Sequence, residues 1–156
     1  MRKTIWYSML DADMNKRYWS ELSNRYYTRD KWAKIFLAVM TSGTVASWGF
    51  WSQYVFLWKG LSALSAIIAI ALPILNWPKM IQNMNVLKEK WLSIKYQYEL
   101  LWLDVKDGIK DETKIKKEFK NIREKESILC QKEANLPNKP KLLLKCREDV
   151  KKSRGI

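Results

Sequence analysis

Basic and aromatic residues recur in the C-terminal half of the chain, in a pattern that can hold a phosphate-bearing molecule. The basic candidates on one stretch are Lys114, Lys117, Lys120 and Arg123. The aromatic residues near them are Trp91, Tyr96, Tyr98, Trp102 and Phe119. Ammonium and guanidinium groups pair with phosphates, and aromatic rings stack on bases. The pattern therefore fits a nucleotide or short oligonucleotide, although a solvated helix face shows the same run of charge.

Catalytic chemistry has little support in the residue types. The chain has no histidine, which removes the commonest general base and the commonest metal ligand. Cys130 and Cys146 lack the partners of a zinc site, and a reducing compartment disfavours a disulfide between them. The five glycines form no phosphate-binding loop. We therefore expect a protein that is not an enzyme and that needs no cofactor and no metal.

Two apolar blocks indicate a membrane protein. No acidic residue occurs between Asp30 and Glu89, and the apolar blocks span residues 33–57 and 61–77. About 20 mainly apolar helical residues cross a bilayer. The three residues Trp58–Gly60 between the blocks can join only antiparallel neighbours, so the sequence predicts a transmembrane hairpin. The alternative for the shorter second block is a buried helix of a soluble domain.

Basic residues on either side of the hairpin predict its orientation. Residues 1–32 carry seven lysines and arginines and residues 78–156 carry twenty, whereas the connection has Lys59 alone. Positive charge stays on the cytoplasmic side of a membrane. We therefore expect a protein of the bacterial inner membrane with both termini in the cytoplasm. Part of the net charge of +13 then serves topology and attraction to anionic lipid.

The remaining segments read as helices, so we predict an all-α membrane protein. An N-terminal cytoplasmic or interfacial helix spans 1–32, the hairpin 33–77, and a cytoplasmic helical domain 78–156 with helices at 78–106, 111–134 and 141–152. A heptad seam with steps of three and four follows the hairpin, through Trp77, Met80, Met84, Leu87, Trp91, Ile94, Tyr98, Leu101 and Val105. Such a seam requires a partner helix or self-association. We expect a coiled-coil-like homo-oligomeric bundle.

Small and hydroxyl-bearing residues form a stripe on each predicted span. The pore-lining candidates are Thr41, Thr44 and Ser52 in the first span and Ser62, Ser65 and Asn76 in the second. Small residues allow helix backbones to approach closely in lipid, so plain helix packing explains the stripes too. No ionisable residue lies deep in either span, which argues against a proton relay or a charge-selective filter.

Residues 18–105 resemble the SLATT domain, a family of two-transmembrane effectors of bacterial conflict systems. The resemblance rests on the basic-aromatic segment Arg25–Tyr27, the small-residue helix LSALSAIIAIAL at 61–72, and the segment Tyr96–Leu101. It implies oligomerisation, a pore or membrane lesion, and gating by a nucleotide-derived ligand. It also implies a partner nucleotidyltransferase encoded nearby. Hailong-type effectors, which a DNA oligomer holds shut, are one variety.

Together these features predict a gated pore of an antiviral defence system that disrupts the membrane and arrests or kills the infected cell. The expected partners are membrane lipid, other copies of the chain (a tetramer as the working guess), and a nucleotide or oligonucleotide. Arg25 and Arg29 join the four C-terminal residues as ligand-binding candidates. Two alternatives remain: a membrane scaffold that docks a soluble partner through its cytoplasmic helices, and a holin-like lysis protein.

Overall fold

All the regular secondary structure in the described residues is helical. The computed structural model describes residues 1–42, 55–108, 111–133 and 136–155. Its helices in chain order are α1 (Arg2–Thr41), α2 (Val55–Leu75), α3 (Trp77–Asp107), α4 (Glu112–Glu133) and α5 (Pro140–Arg154). The all-α class expected from the sequence is therefore confirmed. The last three helices begin and end within two residues of their predicted limits.

Local residue chemistry accounts for the helix boundaries in the C-terminal region. α3 follows Asn76, whose φ of 44° lies in the left-handed region. Pro78 occupies its first turn, where the missing N–H needs no partner. α3 ends at Asp107 and α5 ends at Arg154. The glycines that follow them, Gly108 and Gly155, have φ values of 67° and 68°, which suit glycine. The Gly155 N–H bonds the carbonyls of Lys151 and Lys152, which closes the last turn of α5.

The chain divides into two compact units. One comprises Met1–Ser23 and Gln82–Ile156, which we call the bundle unit, and the other comprises Asn24–Ile81, which we call the apolar unit. α1 and α3 each contribute residues to both. α4 and α5 belong to the bundle unit, and α2 belongs to the apolar unit.

The bundle unit is built around the heptad seam of α3. The seam residues buried there are Met84, Leu87, Trp91, Ile94, Tyr98 and Leu101. They pack with buried apolar residues of the other helices: Ile5, Met9, Ala12, Tyr18, Trp19 and Leu22 of α1, Ile115, Ile122 and Leu129 of α4, and Leu142, Cys146 and Val150 of α5. The partner helices that the seam requires are thus supplied by the same chain.

Cross-helix contacts show that α3 and α4 run antiparallel. Trp91 bonds Glu133, whereas Tyr98 bonds Glu126. The residue number falls on α4 as it rises on α3, in steps of seven on both helices. A constant step of seven keeps the same faces in contact over successive turns, as in coiled coils.

The described side chains of the apolar unit form no buried apolar core. Among its described side chains, only that of Asp30 is buried, and it pairs with Lys34 at 2.6 Å. Large apolar side chains of α2 are exposed instead, with Phe56, Ile67, Ile70 and Ile74 between 64% and 92% accessible. A helix that is apolar all round needs an apolar environment from a surrounding protein or a membrane.

The hairpin connection expected at Trp58–Gly60 is wrong, because those residues lie inside α2. Glycine in a helix costs about 1 kcal/mol relative to alanine but does not end it. A Cβ added at Gly60 would meet nothing within 4 Å, so the position is not shaped by close packing. The predicted first span, 33–57, begins within α1, and its residues 43–54 lie outside the described part of the chain.

Length and composition give one membrane-span candidate in the described residues. No single helix there is both long enough and apolar enough to cross a membrane. The helical segments Lys59–Leu75 and Trp77–Asp107, bent at their junction, satisfy those two criteria only as a pair.

Leu100 and Leu101 of α3 provide a direct test of the seam. Leu101 is 2% exposed and Leu100 is 64% exposed. Leu101→Ala should lower the free energy of unfolding by about 2–5 kcal/mol, because it removes buried contacts and leaves a cavity. Leu100→Ala, the matched control, should change it by less than about 0.5 kcal/mol. Urea unfolding of the purified protein, followed by circular dichroism, measures both. Equal losses in the two variants would contradict this packing.

Candidate functional site

Two glutamates occupy core positions of α4. The inward-facing residues of this helix recur in steps of four and three, and they are Ile115, Phe119, Ile122, Glu126, Leu129 and Glu133. Three of the apolar members, Ile115, Ile122 and Leu129, are buried. A carboxylate at such a position must find hydrogen-bond donors, because burying an unpaired charge is costly. Each glutamate accepts at least one hydrogen bond from an aromatic residue.

Glu133 accepts hydrogen bonds from two indoles. Trp19 Nε1 lies 2.8 Å and Trp91 Nε1 2.6 Å from the same oxygen, Oε1. Both rings are held in place, since Trp19 is 3% exposed and Trp91 is fully buried. Hydrogen bonds to a charged group contribute about 1.5–3 kcal/mol each. The contact joins α1, α3 and α4 through one carboxylate.

The surroundings of Glu133 favour its protonated form. Burial raises the pKa of this carboxyl, the two indole N–H groups oppose the rise, and the charge of Glu126 adds to it. The raised pKa means that the hydrogen bonds compensate only part of the lost solvation. Glu133 is therefore a titratable group inside the bundle unit.

A cavity of about 350 Å³ lies beside Glu133. Its walls come from α1, the end of α4 and the segment before α5, and the polar lining residues are Asn15, Tyr18, Asn138 and Glu133. The Tyr18 hydroxyl donates to the Pro137 carbonyl at 3.3 Å and accepts the Lys139 N–H at 2.9 Å. Both indoles bond the same carboxylate oxygen of Glu133, Oε1. A carboxylate and amides around an aromatic wall suit a ligand that donates hydrogen bonds.

Glu126 forms a second polar contact one heptad earlier. Its Oε2 accepts the Tyr98 hydroxyl at 2.8 Å and the Arg123 guanidinium at 3.0 Å. Burial and the bond to Glu126 raise the pKa of Tyr98. The pKa of Asp11 is raised by burial and by Glu126, against the opposing charges of Arg147 and Arg123. The group thus holds two carboxylates of like charge close to Arg123.

The six ligand-binding candidates are divided between the two units. Arg25 and Arg29 belong to the apolar unit, and the Arg29 guanidinium lies 5.8 Å from the centre of the Tyr26 ring. The lysines of α4 are exposed at positions 114, 117 and 120, and none lines any of the four cavities described. Arg123 is bonded to Glu126, whose charge raises its pKa. Their role in ligand binding stays a prediction.

The described pore-lining candidates satisfy their hydroxyls locally. Thr41 Oγ1 donates to the Leu37 carbonyl at 2.8 Å, and Ser65 Oγ donates to the Ser62 carbonyl at 2.8 Å. Bonds of this kind keep a hydroxyl close to its own helix. Ser62 and Asn76 are exposed, and Asn76 forms the junction of α2 with α3. Thr44 and Ser52 lie outside the described residues.

Metal and thiol chemistry have no geometric basis in the described residues. No group of three histidine, cysteine, aspartate or glutamate side chains there can hold a metal ion. Cys130 is exposed on α4 and Cys146 is buried on α5, and both are free thiols. Burial raises the pKa of each, which lowers the fraction of reactive thiolate.

The sequence analysis did not single out Glu126 and Glu133. The signal was present in the heptad of α4: extending the steps from Ile115, Phe119 and Ile122 reaches 126, 129 and 133. A carboxylate on an extended seam indicates a buried polar contact, whereas a carboxylate off the seam indicates a solvated one.

The raised pKa of Glu133 gives a pH test. The folded protein keeps this proton to a higher pH than the unfolded chain, whose carboxyl titrates near 4.5. Stability from this group is therefore complete below that value and falls as pH rises through the folded pKa. Glu133→Gln should flatten the fall of unfolding free energy above pH 4.5. Urea unfolding at a series of pH values measures the slope.

The control is Glu124→Gln, an exposed glutamate on the same helix. It should leave the slope of the wild-type profile unchanged. The Glu133→Gln variant should keep part of the slope of unfolding free energy against pH. That remaining slope should be smaller in a double variant that also carries Asp11→Asn, because burial raises the pKa of Asp11 as well. A Glu133→Gln profile that superimposes on the wild-type profile would contradict the assignment.

Comparison with known proteins was made for the whole chain. No family model, curated protein or solved structure matches it. The resemblance of residues 18–105 to the SLATT domain stays a prediction.

Proposed function

We propose that this chain is an oligomeric membrane pore of a bacterial antiviral defence system, controlled by an anionic nucleotide or oligonucleotide bound to its bundle unit. The observation that carries the proposal is the contrast between the two units. The bundle unit buries a continuous apolar seam, whereas Asp30 is the only buried side chain among those described in the apolar unit. An exposed apolar surface of this extent marks a membrane or protein interface.

The exposed side chains of α2 determine how much free energy their burial would contribute. Burying one isoleucine contributes about 1.5–3 kcal/mol relative to leaving it in water. Ile67, Ile70 and Ile74 are each at least 64% exposed. Lipid and neighbouring copies of the chain would bury these three side chains. Pore opening would then collapse ion gradients and arrest or kill the infected cell.

α3 offers a route from ligand to pore. Its residues Trp77–Ile81 belong to the apolar unit, and those from Gln82 onward belong to the bundle unit. A ligand that shifts the packing of α3 in the bundle also acts on a helix that continues into the apolar unit. Packed helices change by small discrete shifts, which makes such a helix a suitable coupling element.

The scaffold alternative loses its simplest docking surface. It required the heptad seam of α3 to receive a soluble partner, but the residues Met84–Leu101 of that seam are buried against α1, α4 and α5. A partner would have to use another face of the bundle unit. A holin-like function leaves the well-packed bundle unit without a role.

Ile67→Arg tests the proposed place of α2 in lipid. Arginine at the centre of a membrane helix costs about 3 kcal/mol on insertion scales. The variant should therefore shift protein from the membrane fraction to the soluble or degraded fraction, while Ile67→Leu should behave as the wild type. Flotation of cell membranes on a density gradient measures the distribution. Full retention of Ile67→Arg in the membrane fraction would contradict the lipid-facing position.

Ion flux tests the pore itself. Purified protein in liposomes should conduct ions, and nucleotide extract from the cells that produced it should change the flux. Protein-free liposomes with the same extract are the control. Inserted protein that conducts under neither condition would overturn the pore and favour a scaffold.

A further inference from the structure

Two neighbouring cavities lie between α3 and α4, and together they form what we call the α3–α4 groove. One has a volume of about 300 Å³ and is lined by Asn83, Val86, Leu87, Lys90, Lys132 and Leu136. The other has a volume of about 250 Å³ and is lined by Lys90, Ser93, Ile94, Gln97, Lys125, Ile128 and Leu129. Lys90 belongs to both linings, so the cavities adjoin at that side chain.

The charged side chains of the groove are all positive. They are Lys90, Lys125 and Lys132, and no aspartate or glutamate appears among the described residues of either lining. The other two cavities differ, because one contains Glu133 and the other contains Glu21 and Asp149. A concave surface with one sign of charge concentrates counter-ions, here anions.

The lysines are spaced along the groove. Lys125 and Lys132 are seven residues apart on α4, which corresponds to about 10.5 Å along a helix. Lys90 faces the space between them from α3, as its place in both linings shows. Lys125 Nζ also donates to Gln97 Oε1 at 2.8 Å, which holds that ammonium group over the groove. Three ammonium groups spaced along the groove suit a ligand that carries several phosphates.

The floor of the groove is apolar. Leu87, Ile94 and Leu129 form it as buried side chains, and Ile128 on its edge is 55% exposed. Val86, which also lines the groove, is 46% exposed. These two exposed apolar side chains beside a row of cations suit a ligand whose rings contact them while its phosphates meet the lysines. A free inorganic anion would leave both side chains in water.

We propose that the α3–α4 groove binds a short phosphodiester oligomer or another nucleotide with several phosphates, through Lys90, Lys125 and Lys132. This inference rests on the proposed function and assigns its ligand to a specific surface. It differs from the sequence prediction, which included none of the three groove lysines and chose Arg25, Arg29, Lys114, Lys117, Lys120 and Arg123. A phospholipid carries the same phosphate chemistry, and binding to vesicles distinguishes that source from a nucleotide.

The test compares two variants with equal changes of charge. The groove variant replaces Lys90, Lys125 and Lys132 by glutamine, and the control variant replaces Lys114, Lys117 and Lys120 by glutamine. Each full-length protein is purified in detergent and titrated with a fluorescein-labelled thymidine hexanucleotide at several salt concentrations. Matching urea midpoints confirm that both variants are folded. Phosphatidylglycerol vesicles serve as the lipid arm.

The groove variant should bind the hexanucleotide at least tenfold more weakly than the wild type. The slope of log affinity against log salt should decrease by about 2, because each phosphate contact with a single strand contributes about 0.7. The control variant should stay within twofold of the wild type, and vesicle binding should be equal in all three proteins.

Three results would overturn the groove assignment: an equal or greater loss in the control variant, no binding by the wild type, or a loss confined to vesicle binding. Flux through liposomes from the same preparations separates this inference from the proposed function. Protein that conducts but lacks groove binding removes only the groove. Protein that binds but never conducts removes the pore.

Discussion

The burial of the α3 seam is the constraint on which the rest of the molecule depends. Six seam residues from Met84 to Leu101 are covered by α1, α4 and α5. The inward faces of these helices therefore pack against α3 and against one another. The apolar unit shows the opposite condition, because Asp30 alone is buried among its described side chains. One unit has completed its core, and the other presents apolar surface. The proposed pore follows from that imbalance.

Polar positions inside the seam give it a unique register. Trp91 meets Glu133, and Tyr98 meets Glu126, so a shift of α4 by one turn would separate both carboxylates from these aromatic donors on α3. No buried side-chain nitrogen or oxygen lacks a partner in the described parts of the chain. Polar core positions can trade stability for a defined register. The α3–α4 groove borders this contact, so a ligand there would touch both helices of the register.

Periodicity predicted the helices well and their partners poorly. The steps of three and four from Met84 to Leu101 identified the buried face of α3, because a heptad pattern is local to one helix. Whether the covering helices come from the same chain or another copy depends on long-range packing, which no local pattern encodes. The expected turn at Trp58–Gly60 failed for a related reason, since a single glycine weakens a helix without ending it. The groove also escaped prediction, because Lys90 and Lys125 are brought together only by the antiparallel pairing of α3 with α4.

Accessibility of α2 in a bilayer tests the central claim most directly. A cysteine replaces Leu64, Ile67, Ile70 or Ile74 singly in a background with Cys130→Ser and Cys146→Ala, and each is spin-labelled in liposomes. Collision rates are measured with oxygen, which dissolves in lipid, and with a nickel chelate, which stays in water. The account predicts oxygen contact and little nickel contact at these exposed positions, with the strongest contrast in the middle of the helix. Nickel contact that exceeds oxygen contact at all four positions would place α2 in water and contradict the account.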